Sequence, residues 1–309
     1  MSEPLGWVGL GAMGAVMAKN LNAHLKKSGA PALYVYNRDS SKCAGLVSDG
    51  ATQCGTLAEL SNPCKIIFLM LGDDDATRAV VSALLHSDSD HTGKILINCS
   101  TVSPDITQWS ATEASGLGAT LIAAPVFGRP DAAAAAKLVV AAAGPLSAMS
   151  KVMPYLDVLG RKVLLIGEDP EKAAVFKLSG NFMIVGIIEL LGEAMSLCET
   201  NGIGRESYLE FIKEMFPAPS MVGYATRIAR DELDAGTGFS VQGGLKDVGL
   251  MRSVARSSCC PLPAADIAFN HLLTAKALGY GASDWGALSL ASRHAATLPL
   301  PPAPPQPRK

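Results

Sequence analysis

Gly9, Gly11 and Gly14 follow the first apolar run of the chain in the spacing G-x-G-x-x-G. Residues 5–8 before them predict a buried strand, and residues 15–25 after them repeat apolar side chains with the period of a helix. In such a turn the first glycine permits a tight backbone, the second lets a pyrophosphate approach, and the third lets the helix pack on the strand. The start of the helix then directs backbone N–H groups at the phosphates.

A second apolar run over residues 32–36 completes a βαβ unit around this loop. The hexapeptide by itself also occurs as an ordinary glycine-rich turn, so it is the flanking strands and helix that favour a dinucleotide site. The residues expected to contact the dinucleotide are Gly9, Leu10, Gly11, Ala12, Met13 and Gly14.

The end of the second predicted strand indicates which nicotinamide dinucleotide is bound. Sites for NAD carry an acidic residue there, which holds the ribose 2′-hydroxyl. This chain has the neutral Asn37 followed by Arg38, and a guanidinium binds a 2′-phosphate that a carboxylate would repel. Ser40 offers a further donor, and Asp39 is expected to point away or to cap the next helix. We therefore predict NADP (NADPH) as the cofactor; the alternative is that Arg38 is a surface arginine.

Short apolar runs alternate with helical patterns in the first half of the chain. This alternation predicts an α/β fold with a doubly wound sheet, a Rossmann domain, over residues 1–167. The expected strands are residues 5–9, 32–37, 65–70, 94–98, 120–124, 137–142 and 162–166.

The pattern changes at Asp169-Pro170-Glu171, which has the features of a helix start. An unusually long helix is then expected as far as Asn201-Gly202, a stop signal, followed by helices at residues 205–215, 220–234, 241–257 and 264–277. Residues 168–296 are thus predicted to form an all-α domain, connected through this long interdomain helix. The proline-rich residues 297–309 are expected to be a disordered tail.

The overall charge gives no electrostatic footprint for nucleic acid or an anionic membrane, since 26 basic residues face 28 acidic ones. The seven cysteines form no C-x-x-C pair, which predicts reduced thiols and no zinc site. His86 and His91 flank Asp88 and Asp90, where a solvated loop is favoured over a metal site.

No apolar stretch is expected to reach the roughly 18 residues of a membrane span. The first strand begins too early for a removable leader, so a cytoplasmic location is expected.

Two polar segments follow predicted strands, at the sheet edge where doubly wound domains bind ligands. In the first, Ser100 and Thr101 can donate to a carboxylate, while Ser103 is the better candidate to cap the next helix. In the second, Gly128 allows close backbone approach and Arg129 can meet an anion.

A third segment lies inside the predicted long helix. Lys177 and Asn181 are four residues apart and therefore share one face, which is otherwise apolar. Polar groups on such a face must reach water, a partner or a ligand. The spacing alone leaves two interpretations open, a lysine that extends to water and a lysine that meets a ligand.

Taken together, these segments resemble the β-hydroxyacid dehydrogenase family. Its members include 3-hydroxyisobutyrate dehydrogenases and glyoxylate/succinic semialdehyde reductases, and they carry a 6-phosphogluconate dehydrogenase-type NADP-binding domain. The resemblance covers about residues 5–295, and the motifs that carry it are residues 9–14, 100–104, 124–129, 177–181 and 244–247.

The resemblance implies a role for each motif. Lys177 would be the catalytic acid/base, Asn181 would orient the substrate, and Ser100 would hold the substrate carboxylate together with the backbone near Gly128. The resemblance also implies that Met70, Leu71 and Thr101 contact the nicotinamide half of the cofactor, and that Lys246, beside Asp247, lies near the cofactor. Thr101, Phe127 and Arg129 are further residues expected at the substrate. Family members associate through the helical domain, so a homodimer or homotetramer is expected.

One loop departs from the family pattern. Many relatives have Ser-Gly-Gly where this chain has Phe127-Gly128-Arg129, so a small 3-hydroxy acid does not follow directly from the resemblance. We predict hydride transfer between NADPH and the carbonyl of a small carboxylate-bearing semialdehyde or keto acid. Imine reductases and reductive aminases share the architecture but usually lack a lysine at the position of Lys177, and non-catalytic NADP-binding relatives generally lose it too. These two classes are the alternatives.

Overall fold

The structure is a computed structural model that describes residues 3–86, 90–234, 236 and 238–304. The chain divides into two compact units, Met1–Lys177, called here the sheet unit, and Leu178–Lys309, the helical unit. The nine strands of the described residues are β1 Leu5–Val8, β2 Tyr34–Tyr36, β3 Thr52–Gln53, β4 Ile66–Leu69, β5 Ile95–Asn98, β6 Thr120–Ala123, β7 Val126–Phe127, β8 Leu138–Ala143 and β9 Gly160–Gly167.

The α-helices in the same part of the chain are α1 Ala12–Ser28, α2 Ala44–Ser48, α3 Leu57–Ser61, α4 Asp74–Leu85, α5 Pro104–Gly116, α6 Pro130–Ala134, α7 Leu146–Leu159, α8 Pro170–Thr200, α9 Arg205–Met215, α10 Pro219–Ala229, α11 Val241–Ser257, α12 Pro263–Ala275 and α13 Leu290–Ala295. Ser40–Cys43 and Trp285–Ser289 are 3₁₀ helices, and Lys276–Tyr280 is a π-type turn.

The strands form one sheet in the order β3-β2-β1-β4-β5-β6-β8-β7, with β9 paired to β8. The first six strands of this order are parallel, which confirms the doubly wound α/β fold. Val8 pairs with Leu69, Leu69 with Asn98, and Asn98 with Ala123, so four strands end at the same level. β8 runs antiparallel to β6 and β7, a direction that the alternating strand and helix pattern did not predict.

Helices cover both faces of the sheet because its central strands are apolar on both sides. On one face Trp7 stacks on Phe68 with ring centroids 5.3 Å apart, and α1 and α7 pack over them. On the other face Ile67 and Leu96 pack against α4. Every residue of β4 and β5 is buried, as expected for parallel strands between two helical layers.

The helical unit is a bundle around one apolar core, and its described residues contain no strand. An ionic cluster ties the end of α8 to α9 and α13. Arg205 binds both carboxylate oxygens of Asp231, at 2.8 and 2.9 Å. Arg293 Nη1 lies 3.0 Å from Asp231, and its Nε lies 3.2 Å from Glu199. The bounds predicted for α9 and α11 are those of the structure.

The longest helix, α8, differs from expectation in its apolar content. By length and composition alone it could cross a membrane, since an 18-residue window has a mean hydropathy of 1.7. The expectation that no apolar stretch is long enough therefore does not hold for α8. About 44% of that window is buried inside the protein, and core helices of water-soluble proteins pass the same criterion, so this composition does not by itself indicate a membrane protein.

The start of the predicted disordered tail packs on the helical unit. The N–H of Leu298 donates to the Arg293 carbonyl oxygen at 3.0 Å, and Leu300 packs against the helical core. The Tyr280 hydroxyl donates to the carbonyl oxygen of Pro301. The tail prediction thus differs from the structure for these residues, and its last five positions, 305–309, lie outside the described residues.

Candidate active site

Two glycines of the first loop are required by packing. Gly9 has a φ of +97°, and a Cβ on it would lie 2.2 Å from the carbonyl oxygen of Met70. A Cβ on Gly14 would lie 2.1 Å from the carbonyl oxygen of Gly9. Both distances are far below contact distance, so only glycine lets β1, α1 and the residue after β4 approach this closely.

Gly11 has a different environment. A Cβ there would meet no protein atom within 4 Å, so protein packing does not exclude a side chain. Gly11 is also the N-cap of α1, which has no side-chain cap hydrogen bond and no acidic residue in its first turn. A helix start with these features is suited to an anion. The loop Gly9, Leu10, Gly11, Ala12, Met13 and Gly14 therefore fits a pyrophosphate.

Asn37, at the position where NAD sites carry an acid, stabilises the glycine loop. Its Oδ1 accepts from the N–H of Leu10 at 2.8 Å, and its Nδ2 donates to the Asp39 carbonyl oxygen at 2.9 Å. The Asp39 carboxylate caps the 3₁₀ turn, as expected, by accepting from the N–H and hydroxyl of Ser41 at 3.2 and 2.6 Å. These hydrogen bonds lower the pKa of Asp39. Arg38 and Ser40 are exposed, and Arg38 forms no ion pair with any residue that the structure describes.

The ends of β4 and β5 are joined through Ser100. The N–H of Leu71 donates to Ser100 Oγ at 2.8 Å, and the N–H of Ser100 donates to Asn98 Oδ1 at 3.0 Å. Ser100 Oγ therefore accepts from the protein while its own proton stays available to a ligand. Met70, Leu71 and Thr101 are half-buried beside it. Ser103 caps α5 as expected, because its Oγ accepts from the N–H of Ile106 at 3.1 Å.

The loop after β6 lies against β8. Phe127 pairs with Val139, and a Cβ on Gly128, whose φ is +139°, would lie 2.6 Å from a side-chain atom of Leu138. Gly128 is thus fixed by packing as well as by its backbone conformation. Arg129 is half-buried and precedes α6, with no side-chain cap hydrogen bond.

The first turns of α8 belong to the sheet unit and carry Lys177. Ala173 packs with Ala123 and Ala143 from the ends of β6 and β8. One turn later, Lys177 is 7% exposed, and its Nζ lies 4.2 Å from the centroid of the Phe127 ring. The interpretation of a lysine that extends to water therefore does not hold. No feature of the sequence near Lys177 indicated this contact, because the two residues are 50 positions apart.

Asn181 lies one turn further along α8, in the helical unit, and binds a residue of α11. Its Nδ2 donates to Asp247 Oδ2 at 2.7 Å. Lys246 Nζ lies 3.0 Å from Asp247 Oδ1, and Asp247 is fully buried. The helical unit thus brings Asn181, Lys246 and Asp247 together. In the sheet unit, contacts join the glycine loop to Asn37 and Met70, Leu71 to Ser100, and Phe127 to Lys177. The remaining predicted residues of this unit are sequence neighbours of these, namely Arg38, Ser40, Thr101, Gly128 and Arg129.

Comparison with known proteins agrees with this geometry. Residues 4–167 match the family model described as the NAD binding domain of 6-phosphogluconate dehydrogenase. The chain is 34% identical to "Uncharacterized oxidoreductase YfjR" of Bacillus subtilis, over 91% of this chain and 96% of that protein. It is 30% identical to the mitochondrial 3-hydroxyisobutyrate dehydrogenase of Drosophila melanogaster, over 86% of this chain and 82% of that protein.

A solved structure shows the same fold. The 3-hydroxyisobutyrate dehydrogenase of Salmonella typhimurium superposes with a TM-score of 0.82, covering 94% of this chain and 99% of that one at 23% identity. Together with the matched domain and the two relatives, the loop and sheet geometry leads to one conclusion. The chain belongs to the β-hydroxyacid dehydrogenase family and is an oxidoreductase with a Rossmann-type NAD(P)-binding domain.

Proposed function

We propose that the protein transfers hydride between NADPH and the carbonyl carbon of a small carboxylate-bearing semialdehyde or keto acid, with Lys177 as the acid/base. The observation that carries this proposal is the burial of the Lys177 ammonium group against Phe127. Phe127 follows β6, whose end is level with the ends of β1, β4 and β5. Ligands of doubly wound domains bind at this edge of the sheet.

The choice of NADPH rests on the corner formed by residues 37–41. The position that carries an acid in NAD sites is Asn37, and its amide is already used by the loop backbone. The carboxylate of Asp39 is held by Ser41. This leaves Arg38 and the hydroxyl of Ser40, both exposed, as the donors for a 2′-phosphate.

The reaction follows from the side chains around this edge. Bound nicotinamide supplies or accepts the hydride. During reduction the carbonyl oxygen gains negative charge, which the ammonium of Lys177 stabilises before it donates a proton and completes the alcohol. In oxidation the neutral amine accepts the hydroxyl proton. A lysine suits both directions, since an arginine would supply charge without a transferable proton.

The remaining site residues would hold the substrate. The Ser100 hydroxyl has its oxygen occupied by Leu71 N–H and can donate its proton to a carboxylate. Arg129 and the backbone near Gly128 would bind the same anion. Asn181 would orient the substrate through its amide, positioned by Asp247. We assign Lys246 to the cofactor side. Relatives of this chain are named glyoxylate/succinic semialdehyde reductase, which supports a carbonyl compound that also bears a carboxylate.

We further propose a homodimer or homotetramer that forms through the helical unit. Met183, Leu190 and Leu197 are spaced seven residues apart on α8, and each is more than 60% exposed. Apolar residues with this spacing form one stripe along a helix, and such a stripe is suited to pairing with another helix.

Steady-state kinetics with NADPH test the proposed reaction. Succinic semialdehyde, glyoxylate and a cyclic imine are the substrates, and Lys177→Met is compared with Lys172→Met. Lys172 is an exposed lysine of the same helix, paired with Asp169. We expect carbonyl turnover that Lys177→Met reduces about 10²–10⁴-fold, the range for loss of a general acid, while Lys172→Met retains it. Faster turnover of the imine, or full activity of Lys177→Met, would reject the assignment.

A further inference from the structure

Phe127 contacts two neighbouring residues of α8, Phe176 and Lys177. The edge of one ring meets the face of the other in the pair Phe127–Phe176, with centroids 6.1 Å apart and planes at 82°. The Nζ of Lys177 lies 4.2 Å from the centroid of Phe127. One turn of helix therefore supplies both an aromatic ring that fixes the tilt of Phe127 and an ammonium that lies against it.

The backbone of Phe127 is fixed as well. It forms β7 and pairs with Val139 of β8. The next residue, Gly128, has no space for a side chain because Leu138 fills it. With its backbone paired to β8 and a second ring packed beside it, the ring of Phe127 is supported by the protein where it meets the ammonium.

The contact has the geometry of a cation–π interaction. A cation within about 6 Å of a ring centroid is attracted by the negative face of the ring, and the attraction grows when water is excluded. Lys177 is 7% exposed. An aromatic face holds an ammonium without neutralising it, whereas a carboxylate would cancel the charge that a developing alkoxide needs.

We propose that Phe127 is the positioning residue of the active site, whose ring face holds the Lys177 ammonium where it protonates the substrate. This proposal depends on the proposed function in one respect, that Lys177 is the proton donor. It goes beyond that function because Phe127 is proposed to position the lysine and not to bind the substrate. Phe176 assists by fixing the plane of the ring.

A kinetic series tests the ring. Phe127→Tyr keeps the aromatic face, Phe127→Leu replaces it by an apolar side chain, and Phe127→Ser removes the bulk as well. The matched control is Phe269→Leu in the helical unit, which removes a ring from beneath another cation, Arg252, 4.5 Å away. We expect kcat to fall at least tenfold in the Leu and Ser variants, to stay within threefold in the Tyr variant, and to be unchanged in the control. The KM for NADPH should stay constant throughout.

Two kinetic outcomes would overturn the proposal. One is a Leu variant with the kcat of the wild type. The other is a Ser variant that is faster than the wild type, since Phe127 would then act on the substrate by its size. If Phe127→Leu does not fold, Phe127→Met, which has a similar volume and no ring, takes its place.

A spectroscopic measurement separates this proposal from the proposed function. In protein labelled with ¹³C at the lysine ε-carbons, the ring current of Phe127 should move the Lys177 methylene resonance upfield of the exposed lysines, and Lys177→Arg assigns it. The displaced resonance should persist in Phe127→Tyr and vanish in Phe127→Leu. A Lys177 resonance that Phe127→Leu does not move would refute the contact. A displaced resonance in a protein whose Lys177→Met variant keeps full activity would refute the proposed function while the contact stands.

Discussion

Alanine at Gly14 and, separately, alanine at Gly11 should separate the packing role of the glycine loop from its binding role. At Gly14 the new Cβ would lie 2.1 Å from the backbone carbonyl oxygen of Gly9, about 1 Å inside the closest distance that such atoms adopt. A carbonyl cannot rotate away as a flexible side chain can. We therefore expect Gly14→Ala to lose about 1–3 kcal/mol of the free energy of unfolding, the cost of overpacking a tight site.

At Gly11 the expectation is the reverse. The new Cβ meets no protein atom within 4 Å, and the φ of −70° suits any residue. The free energy of unfolding without cofactor should fall by only about 0.5–1 kcal/mol, the cost of alanine in place of glycine at an N-cap. A pyrophosphate that approaches the backbone would, however, meet the methyl group. If the dissociation constant rises about 30-fold, NADPH at 100 times the wild-type constant would stabilise the variant by about 0.9 kcal/mol, against about 2.7 kcal/mol for the wild type.

Urea unfolding with and without NADPH measures both quantities for each variant. If Gly11→Ala gained as much stability from NADPH as the wild type, the second glycine would have no role in close approach. If Gly14→Ala unfolded at the wild-type urea concentration, the clash in the structure would be relieved without cost.

Three further expectations concern the cofactor corner and the helical unit. Arg38→Asp should raise the KM for NADPH at least tenfold and lower that for NADH, and an unchanged preference would show that another group binds the 2′-phosphate. Asp231→Asn should lower the free energy of unfolding in urea by about 2 kcal/mol, because Arg205 would keep only one of its two carboxylate oxygens and lose the negative charge. This is less than the loss for a fully buried ion pair. A loss under about 0.5 kcal/mol would contradict the structure. Hydrogen bonding to Glu189 raises the pKa of His271, so its charged form is stabilised in the folded protein. The free energy of unfolding of the wild type should therefore exceed that of His271→Gln by its largest amount below about pH 6.5, and the difference should shrink as the pH rises through the folded-state pKa. A difference that grows with pH would contradict this expectation.

Much of the sheet unit could be predicted from sequence because its signals are local. Runs such as β4 and β5 are apolar on both faces, and only strands buried between two layers need that composition. β3 and β7 were missed because two residues show no periodicity. The antiparallel edge was missed for another reason, since strand direction depends on how the chain crosses the sheet and leaves no mark in the residues themselves.

The candidate site also contains some features that the sequence indicates and others that only the fold shows. The glycine loop and the cap at Ser103 are indicated directly by residue types within a few positions, although the loop is also held by the distant residues Met70 and Asn37. The partner of Lys177 lies 50 positions away and is an aromatic residue of β7, a two-residue strand that shows no periodicity in the sequence. A lysine on an apolar helix face indicates that something must meet it. Only the packing of α8 on the ends of β6 and β8 identifies Phe127 as that partner.

Asn37 illustrates how the fold can constrain a position at which NAD sites carry an acid. Its amide accepts from the loop at Leu10 and donates to the carbonyl oxygen of Asp39. An aspartate at the same position could accept from Leu10, but its second oxygen would face the Asp39 carbonyl oxygen with no proton between them, which is repulsive. Introducing the acid typical of NAD sites at Asn37 would therefore loosen the glycine loop and the turn that Asp39 caps. Arg38, which makes no contact of this kind within the described residues, can change without that cost. A change of cofactor preference in this chain should therefore begin at Arg38, and a stable Asn37→Asp variant with an unaltered loop would show that the amide's second hydrogen bond is dispensable.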